Sequence, residues 1–258
     1  MPILMKLNIF GTVIALVSLT YFSAFSQSQD ESSVLVFSKT AGYRHESIEP
    51  GIEAIKQLGE QHGFQVVASE DSTRFDRGKL EGIDVVVFLN TTGDILNEAQ
   101  QHELEQFMRN GGGFVGVHAA ADTEYDWPWY GKLVGAYFNG HPNNPNVREA
   151  TLRRLNDHHP ATTPLPQDWT RSDEWYNYKN INPENEVLIN LDESTYEGGT
   201  NGENHPISWY KEYDGGRAFF TGLGHTPASY TDSLFLAHLA GGIQYALGTN
   251  ATEGTASH

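Results

Sequence analysis

The sequence contains no cysteine and few basic residues, and each shortage excludes a class of function. Without a thiol among its 258 residues, the chain has no disulfide bonds, no cysteine nucleophile and no cysteine-based zinc or iron–sulfur site. Only 16 lysines and arginines oppose 33 acidic residues, which gives a formal net charge of −17. Nucleic acids and anionic membrane surfaces need clustered basic side chains, so we expect neither as a main partner. A neutral small ligand suits this composition better.

The first 26 residues have the pattern of a secretory signal peptide. Lys6 precedes an apolar run over residues 7–22, and small residues follow at the spacing that a signal peptidase needs. The run lacks the length and polar flanks of a stable membrane span. We therefore expect a periplasmic or secreted protein that begins near Gln27 and keeps no membrane span after processing. An uncleaved N-terminal anchor is the alternative.

Short apolar strands alternate with amphipathic helices along residues 27–248, which we predict to form a single domain, followed by a frayed tail over 249–258. This alternation is typical of an α/β fold with a doubly wound, mostly parallel sheet. Where it breaks down, over residues 121–166 and 180–204, we expect long loop insertions of the kind that often bind ligands. The predicted strands are 33–37, 64–68, 84–89, 113–117, 187–191, 207–211 and 217–221, and the predicted helices are 47–62, 97–109 and 233–247.

Polar side chains follow four of the predicted strands at the point where each strand ends. In an open parallel sheet, ligands bind beyond the carboxyl ends of the strands, so these residues are the informative ones. Three of the four strand-end segments contain a histidine: His45 after the first strand, His118 after the fourth and His225 after the last. The sequence therefore predicts a pocket rich in histidine at this edge of the sheet.

His118 occupies the apex of a segment, Gly116-Val117-His118-Ala119-Ala120, with the outline of a nucleophile elbow. A hydrolase carries serine or cysteine at this place, so an acyl-enzyme route lacks its usual nucleophile here. An exposed imidazole at the apex serves as a base, an acid, a metal ligand or a hydrogen-bond partner. The alternative is a buried histidine satisfied by backbone groups.

Several motifs, in order along the chain, carry a family resemblance. They are residues 34–48 (VLVFSKTAGYRHESI), 113–120 (GFVGVHAA) and 133–142 (LVGAYFNGHP), then 159–162 (HPAT), 173–176 (DEWY), 205–207 (HPI) and 222–225 (GLGH). Over residues 33–248 the chain thereby resembles the ThuA-like (trehalose utilisation) family. The resemblance implies a class I glutamine amidotransferase-like fold with a flavodoxin-type sheet that lacks the usual cysteine nucleophile. It also implies sugars or oxidised sugar derivatives as ligands, although a shared fold alone assigns no reaction.

His45, His118 and Glu174 are the candidate catalytic residues. His45 precedes the first predicted helix, where the positive end of the helix dipole favours a neutral imidazole. Of the adjacent acids Asp173 and Glu174, at most one faces the cleft, because neighbouring residues of a strand point to opposite faces. We prefer Glu174. Burial would raise the pKa of such a carboxyl group into a range that is useful for proton transfer.

Other polar and aromatic side chains are candidate ligands for a small carbohydrate. Aromatic rings pack on the apolar faces of sugars, and polar groups bind their hydroxyls. The candidate substrate-binding residues are Lys39, Arg44, Asn90, Thr91, Asp122, Trp127, Tyr176, His141 and His225. A divalent metal ion such as zinc, held by His118, His141 and His225, is left open, because no pair of histidines has the i, i+4 spacing of a strong motif.

These residues lead to one main hypothesis and two alternatives. The main hypothesis is an exported enzyme that processes an oxidised (keto) glycoside or disaccharide: His118 or His45 removes a proton made acidic by the ring carbonyl. Arg44, Lys39 or a metal ion then stabilises the negative charge of the enolate. One alternative is a non-catalytic sugar-binding module. The other is a glycoside hydrolase whose two catalytic carboxylates are Asp122 and Glu174. The oligomeric state is not predicted.

Overall fold

The computed structural model describes residues 31–249. The predicted signal peptide over residues 1–26 lies outside the described residues, and so does the tail beyond residue 249, so both remain predictions. Within the described part of the chain, no helix combines the length and the apolar character that a membrane crossing requires.

Residues 31–249 form eleven strands and four α-helices. The strands are β1 (Ser32–Phe37), β2 (Phe64–Ser69), β3 (Val85–Leu89), β4 (Gly113–Val117), β5 (Tyr137–Phe138), β6 (Val147–Arg154), β7 (Asp168–Glu174), β8 (Tyr178–Lys179), β9 (Glu186–Asp192), β10 (His205–Tyr213) and β11 (Gly216–Thr221). The helices are α1 (Ile48–His62), α2 (Glu98–Arg109), α3 (Pro128–Val134) and α4 (Ser233–Leu247). Nine strands form one sheet in the order β2-β1-β3-β4-β11-β10-β9-β6-β7, and β5 pairs with β8.

The first half of the large sheet is parallel and has the order β2-β1-β3-β4-β11. This is the flavodoxin-like strand order, with β11 in the fifth place. β3 (VVVFL) is buried along its whole length, and β1 is buried from Val34 to Phe37. Strands that are buried on both faces are what a parallel sheet covered by helices requires. The predicted α/β class with a doubly wound sheet is confirmed.

The second half of the sheet is antiparallel and consists of β10, β9, β6 and β7. The sequence predicts loops over residues 121–166, whereas this segment contains α3 and β6, and that part of the prediction is wrong. β6 (VREATLRR) keeps long polar side chains on its accessible face, and β7 (DWTRSDE) alternates exposed and buried residues. Neither strand has the continuous apolar run by which the other strands are recognised.

Capping groups in the sequence determine where the helices begin and end. The Asn97 side chain accepts a hydrogen bond from Gln100 N, and the Gln100 side chain accepts one from Asn97 N, which forms a capping box at the start of α2. Asp232 accepts a hydrogen bond from Leu234 N at 2.9 Å at the start of α4. α1 ends at Gly63, whose φ of 74° is the left-handed conformation that glycine tolerates. All three predicted helices therefore begin and end within one residue of the observed bounds.

His238 connects α4 to the rest of the core through buried hydrogen bonds. Its Nδ1 donates to the Ala161 carbonyl at 2.7 Å, and its Nε2 lies 3.2 Å from the hydroxyl oxygens of Ser208 and Thr221. Because a carbonyl oxygen only accepts, Nδ1 carries the proton and Nε2 is the acceptor. Burial lowers the pKa of His238 to about 4 from its usual 6.5.

We predict that His238 makes the free energy of unfolding depend on pH between its two pKa values. Below pH 6.5 the imidazole takes up a proton in the unfolded chain but not in the folded protein, so its contribution is complete above pH 6.5 and is lost as the pH falls towards about 4. The loss at this residue is about 3 kcal/mol. Urea unfolding across this pH range measures it.

The variant His238→Gln separates this effect from that of His159, whose pKa burial also lowers to about 4. In the variant, the dependence of the unfolding free energy on pH should weaken by up to ~1.4 kcal/mol per pH unit, the value for one proton. An equal dependence in both proteins would show that His238 is not the residue that titrates.

Candidate functional site

Four ionisable side chains meet beyond the carboxyl ends of the strands. They are His45, His118, Glu174 and His225, and one potential ligand atom of each lies within 4.8 Å of the others. We call this group the His–Glu cluster. His45 comes from the connection between β1 and α1, and His118 and His225 follow β4 and β11. Glu174 ends β7, so both halves of the sheet supply the site.

Three atoms of the His–Glu cluster form a tight triangle. His118 Nε2 lies 3.2 Å from His225 Nδ1 and 3.4 Å from Glu174 Oε2, and that oxygen lies 3.1 Å from His225 Nδ1. The His45 ring stands edge-on to the rings of His118 and His225, with centroid distances of 5.1 Å to each. Burial and the neighbouring imidazoles lower the pKa of His45 to about 2, so its ring is neutral.

His118 occupies a strained turn directly after β4. Its φ of 48° lies in the left-handed region, where a residue with a side chain is uncommon, as in a nucleophile elbow. Its Nδ1 donates to the Gly222 carbonyl at 2.9 Å, so the other ring nitrogen, Nε2, faces the cluster. His118 is fully buried, in contrast to the exposed apex that the sequence pattern predicts.

Glu174 faces the cluster, and its two oxygens have different partners. Oε2 lies against His118 and His225, while Oε1 accepts a hydrogen bond from Asn146 Nδ2 at 2.6 Å. Burial acts to raise the pKa of Glu174, but the imidazoles of His118 and His225 outweigh it and hold that pKa well below its usual range. The carboxylate therefore stays ionised and cannot serve as an acid.

Asp173 points away from the cluster and fixes the loop that carries His225. Its carboxylate accepts the N–H groups of Gly224 and His225 at 3.0 and 3.1 Å, and it lies 3.2 Å from the buried Arg171 guanidinium. Gly224 has a φ of 108°, and a Cβ there would lie 2.9 Å from the Tyr230 hydroxyl, so only glycine fits. The loop thus holds His225 at a defined position.

A cavity of about 400 Å³ opens next to the cluster. The Tyr176 ring packs on His118 with a centroid distance of 4.1 Å and contacts Phe138 at 4.2 Å. The wall therefore combines aromatic faces with polar groups, as a site for a small polar ligand requires. The lining residues are Tyr43, His45, Asp122, Phe138, His141, Asn146, Glu174, Tyr176 and His225.

Asp122 and His141 line this cavity outside the cluster. Burial raises the pKa of Asp122, although the Tyr125 hydroxyl donates a hydrogen bond to its carboxylate. His141 Nε2 lies 3.6 Å from Glu174 Oε1, and its Nδ1 donates to the Pro142 carbonyl at 2.8 Å. Four ligand atoms converge without His141, so His45 and Glu174 replace it in the group that could hold a metal ion.

Lys39, Arg44 and Trp127 lie outside the cavity, which corrects their assignment to the site. Lys39 Nζ donates to the Ile95 carbonyl at 2.9 Å, and Arg44 forms surface ion pairs with two glutamates. Trp127 is buried and stacks on Trp129. These side chains follow strands or belong to the irregular segment as predicted, but the local sequence does not decide whether a loop side chain turns towards the ligand or towards the scaffold.

Asn90 and Thr91 follow β3 and are also absent from the cavity wall. Asn90 Nδ2 donates to Ser47 Oγ at 2.9 Å, and Thr91 Oγ1 shares a hydrogen bond with Thr123 Oγ1 at 2.9 Å. Both residues are fully buried. They hold strand-end loops together rather than binding a ligand in the cavity.

Three cavity residues are missing from the candidates chosen by sequence: Tyr43, Phe138 and Asn146. Tyr43 lies two residues before His45, and Phe138 lies inside the motif over residues 133–142, so both had a signal in the sequence. No signal in the sequence indicates Asn146, because its position beside Glu174 depends on the pairing of β6 with β7.

The comparisons with known proteins agree with this fold. The sequence matches the ThuA family, described as trehalose utilisation, over residues 33–246. A solved protein described as ThuA-like from Bacteroides uniformis ATCC 8492 is 25% identical with a TM-score of 0.71, over 83% of this chain and 91% of that one. One from Parabacteroides merdae ATCC 43184 is 20% identical with a TM-score of 0.69, over 87% and 92%. A search of curated proteins found no match.

A larger enzyme shares the fold at much lower identity. A β-galactosidase from Bacillus circulans sp. alkalophilus is 12% identical with a TM-score of 0.53, over 85% of this chain and 31% of that one. This likeness concerns the fold alone. The family match, in contrast, covers nearly all of the described residues, and the ThuA-like structures align over about nine tenths of their own length. The chain therefore belongs to the ThuA (trehalose utilisation) family.

Proposed function

We propose that the protein is an exported enzyme that processes an oxidised (keto) glycoside or disaccharide by general acid–base chemistry. The observation that carries this proposal is the cavity, in which imidazole and carboxylate groups face the same space as three aromatic rings. The elbow after β4 holds His118 in place of a serine or cysteine nucleophile. Membership of a family described as trehalose utilisation supports a carbohydrate as the substrate.

A carbonyl group on the sugar ring explains how such side chains cleave a glycosidic bond. The carbonyl acidifies the neighbouring C–H, and a base removes this proton to give an enolate. The electron pair then expels the oxygen β to the carbonyl, an acid protonates that oxygen, and an unsaturated ketone and an alcohol result. This elimination needs a base, an acid and a positive group near the enolate oxygen, but no nucleophile.

Asp122 and His141 are the proton-transfer groups that line the cavity outside the His–Glu cluster. His45 also lines it, but burial lowers the pKa of its imidazole to about 2, which makes it a weak base. Asp122 has a pKa raised by burial, which suits a carboxyl group that protonates a leaving oxygen. His118 does not line the cavity, and its Nε2 is turned towards Glu174 and His225. We therefore assign His118 a positioning role in place of the base suggested by the sequence.

The residues that line the same cavity also fit one alternative reaction. Asp122, with its raised pKa, and the ionised Glu174 both line it, and a two-carboxylate glycoside hydrolase also needs one protonated and one ionised carboxyl group. A hydrolase of this kind cleaves the unoxidised disaccharide. A sugar-binding module, in contrast, binds the keto disaccharide and the unoxidised disaccharide and releases no product from either.

We expect the purified chain to convert a 3-keto disaccharide, such as 3-ketotrehalose, and to leave trehalose unchanged. Asp122→Asn should lower kcat by roughly 10²–10⁴, the usual contribution of a general acid or base. Liquid chromatography with mass spectrometry identifies and quantifies the product.

Arg44→Ala is the matched control, because Arg44 follows the same strand as His45 but forms its ion pairs on the surface. We expect this variant to keep the wild-type rate. Cleavage of trehalose itself would favour the hydrolase, binding without any product would favour the binding module, and full activity of Asp122→Asn would remove the proposed acid.

Asp173 supports catalysis only through the loop that it holds. Asp173→Asn leaves the buried Arg171 with an uncharged partner. We therefore expect the free energy of unfolding to fall by about 3 kcal/mol. We also expect kcat to fall more than KM rises, because His225 loses its defined position. Arg153→Ala, which breaks an ion pair on the exposed side of β6, should alter neither quantity. Urea unfolding and steady-state kinetics on both variants decide between a positioning role and none.

Export is a separate proposal, supported by the signal-peptide pattern of residues 1–26. When the full chain is expressed in a Gram-negative bacterium, we expect it in the periplasmic fraction with an N-terminus near Gln27. N-terminal sequencing and intact mass measure this. A chain that stays in the cytoplasm and retains residues 1–26 would contradict the proposal.

A further inference from the structure

We propose that the His–Glu cluster is a binding site for one divalent transition-metal ion of the zinc type, held by His118, Glu174 and His225 with His45 as the fourth ligand. The proposal concerns the same site as the proposed function, and the role of the ion in catalysis rests on that function. The binding of the ion does not, so it is tested on its own.

The spacing of the triangle is the first argument. Ligands placed 2.0–2.1 Å from a tetrahedral zinc ion lie about 3.3 Å from one another. The three measured separations among His118 Nε2, His225 Nδ1 and Glu174 Oε2 are 3.2, 3.4 and 3.1 Å. They match the face of a coordination tetrahedron without any movement of the side chains. His45, whose ligand atom lies within 4.8 Å of the others, is the fourth donor available to the ion.

The orientation of the triangle is the second argument. His118 Nδ1 donates to a carbonyl oxygen, so its other ring nitrogen, Nε2, is turned towards Glu174 and His225. Glu174 Oε2 faces His118 Nε2 at 3.4 Å and His225 Nδ1 at 3.1 Å. Three atoms of the kinds that coordinate zinc therefore point at one another inside the protein.

The surroundings of the ligands are the third argument. Metal-bound histidines usually donate their second ring nitrogen to a carbonyl or carboxylate, and metal-bound carboxylates are themselves hydrogen-bonded. The Gly222 carbonyl serves His118 in this way, Asn146 Nδ2 serves Glu174, and the backbone of His225 is held by Asp173. The side chains of His118 and Glu174 therefore have outer partners that fix their direction, and His225 is positioned through its backbone.

His45 contributes an independent observation. Its side chain is almost fully buried, and its Nδ1 has no hydrogen-bond partner among the described residues. A buried imidazole nitrogen without a partner carries a cost in free energy, and such groups call for a ligand or a functional role. The His45 ring stands next to both other imidazoles of the cluster, which is where a fourth metal ligand belongs.

The donor set restricts the ion. Three imidazoles with one carboxylate, and no thiolate, suit zinc, copper, iron or nickel better than magnesium or calcium, which prefer oxygen donors. Such an ion would also supply the positive charge beside the enolate that Lys39 and Arg44 do not provide, because both lie outside the cavity.

The test is direct titration of the protein with zinc after treatment with a chelator and dialysis. By isothermal titration calorimetry we expect about one ion per chain, and X-ray absorption should show nitrogen and oxygen ligands at 2.0–2.1 Å. Glu174→Gln and His225→Gln should weaken binding by more than the roughly 10–100-fold that loss of an outer partner costs. Asn146→Ala, which removes such an outer partner, should fall within that range.

A control variant excludes non-specific binding to histidine. His158 is an exposed imidazole that pairs with Asp157 at the surface and is not one of the four ligands, so His158→Ala should bind zinc as the wild type does. Circular dichroism and thermal unfolding establish that each variant is folded. If the folded wild-type chain binds no zinc, or if Glu174→Gln and His225→Gln bind it unchanged, the metal site is wrong.

The outcome is distinguishable from that of the proposed function. Zinc bound with the expected ligands, but without turnover of any sugar, keeps the metal site and removes the proposed reaction. Turnover of the keto disaccharide by a chelated protein that binds no zinc keeps the reaction and removes the metal site.

Discussion

The site depends on the Asp173 carboxylate, which joins the edge strand of the antiparallel half of the sheet to the loop after the last parallel strand. β7 lies four places beyond β11 in the strand order, yet Asp173 accepts the N–H groups of Gly224 and His225. The antiparallel half must therefore curve back towards the edge where the parallel strands end. Without this closure the imidazoles would have no carboxylate, because Glu174 is the neighbour of Asp173.

The parallel half was predictable from the sequence, and so were β9 and β10, but β6 and β7 of the antiparallel half were not, for one physical reason. Strands such as β3 are buried on both faces and consist only of apolar residues. β6 and β7 are exposed to solvent on one face and carry charged side chains there. His45, His118 and His225 follow parallel strands and were found. Lys39 and Arg44 were misplaced, because the direction of a loop side chain is set by packing. Asn146 was missed because the fold alone brings it to Glu174.

The elbow after β4 shows how a strained turn is used without a nucleophile. In a hydrolase this turn exposes its side chain above the sheet. Here His118 keeps the left-handed backbone, but the ring is turned inwards, bonded to Gly222 and covered by Tyr176. Strain of this kind persists only where the surroundings determine the geometry completely. The turn therefore places one ring nitrogen of His118 accurately rather than presenting a reactive atom to the substrate.

The two halves of the sheet contribute to the site unequally. The imidazoles of the His–Glu cluster follow strands of the parallel half, while Glu174 and the cavity residues Phe138, His141, Asn146 and Tyr176 come from the residues between α3 and β8. One part of the chain thus supplies three of the four groups of the cluster, and a separate stretch supplies most of the wall that a ligand meets. Relatives can diverge in the molecules they accept by changing that stretch, provided that Glu174 keeps its place.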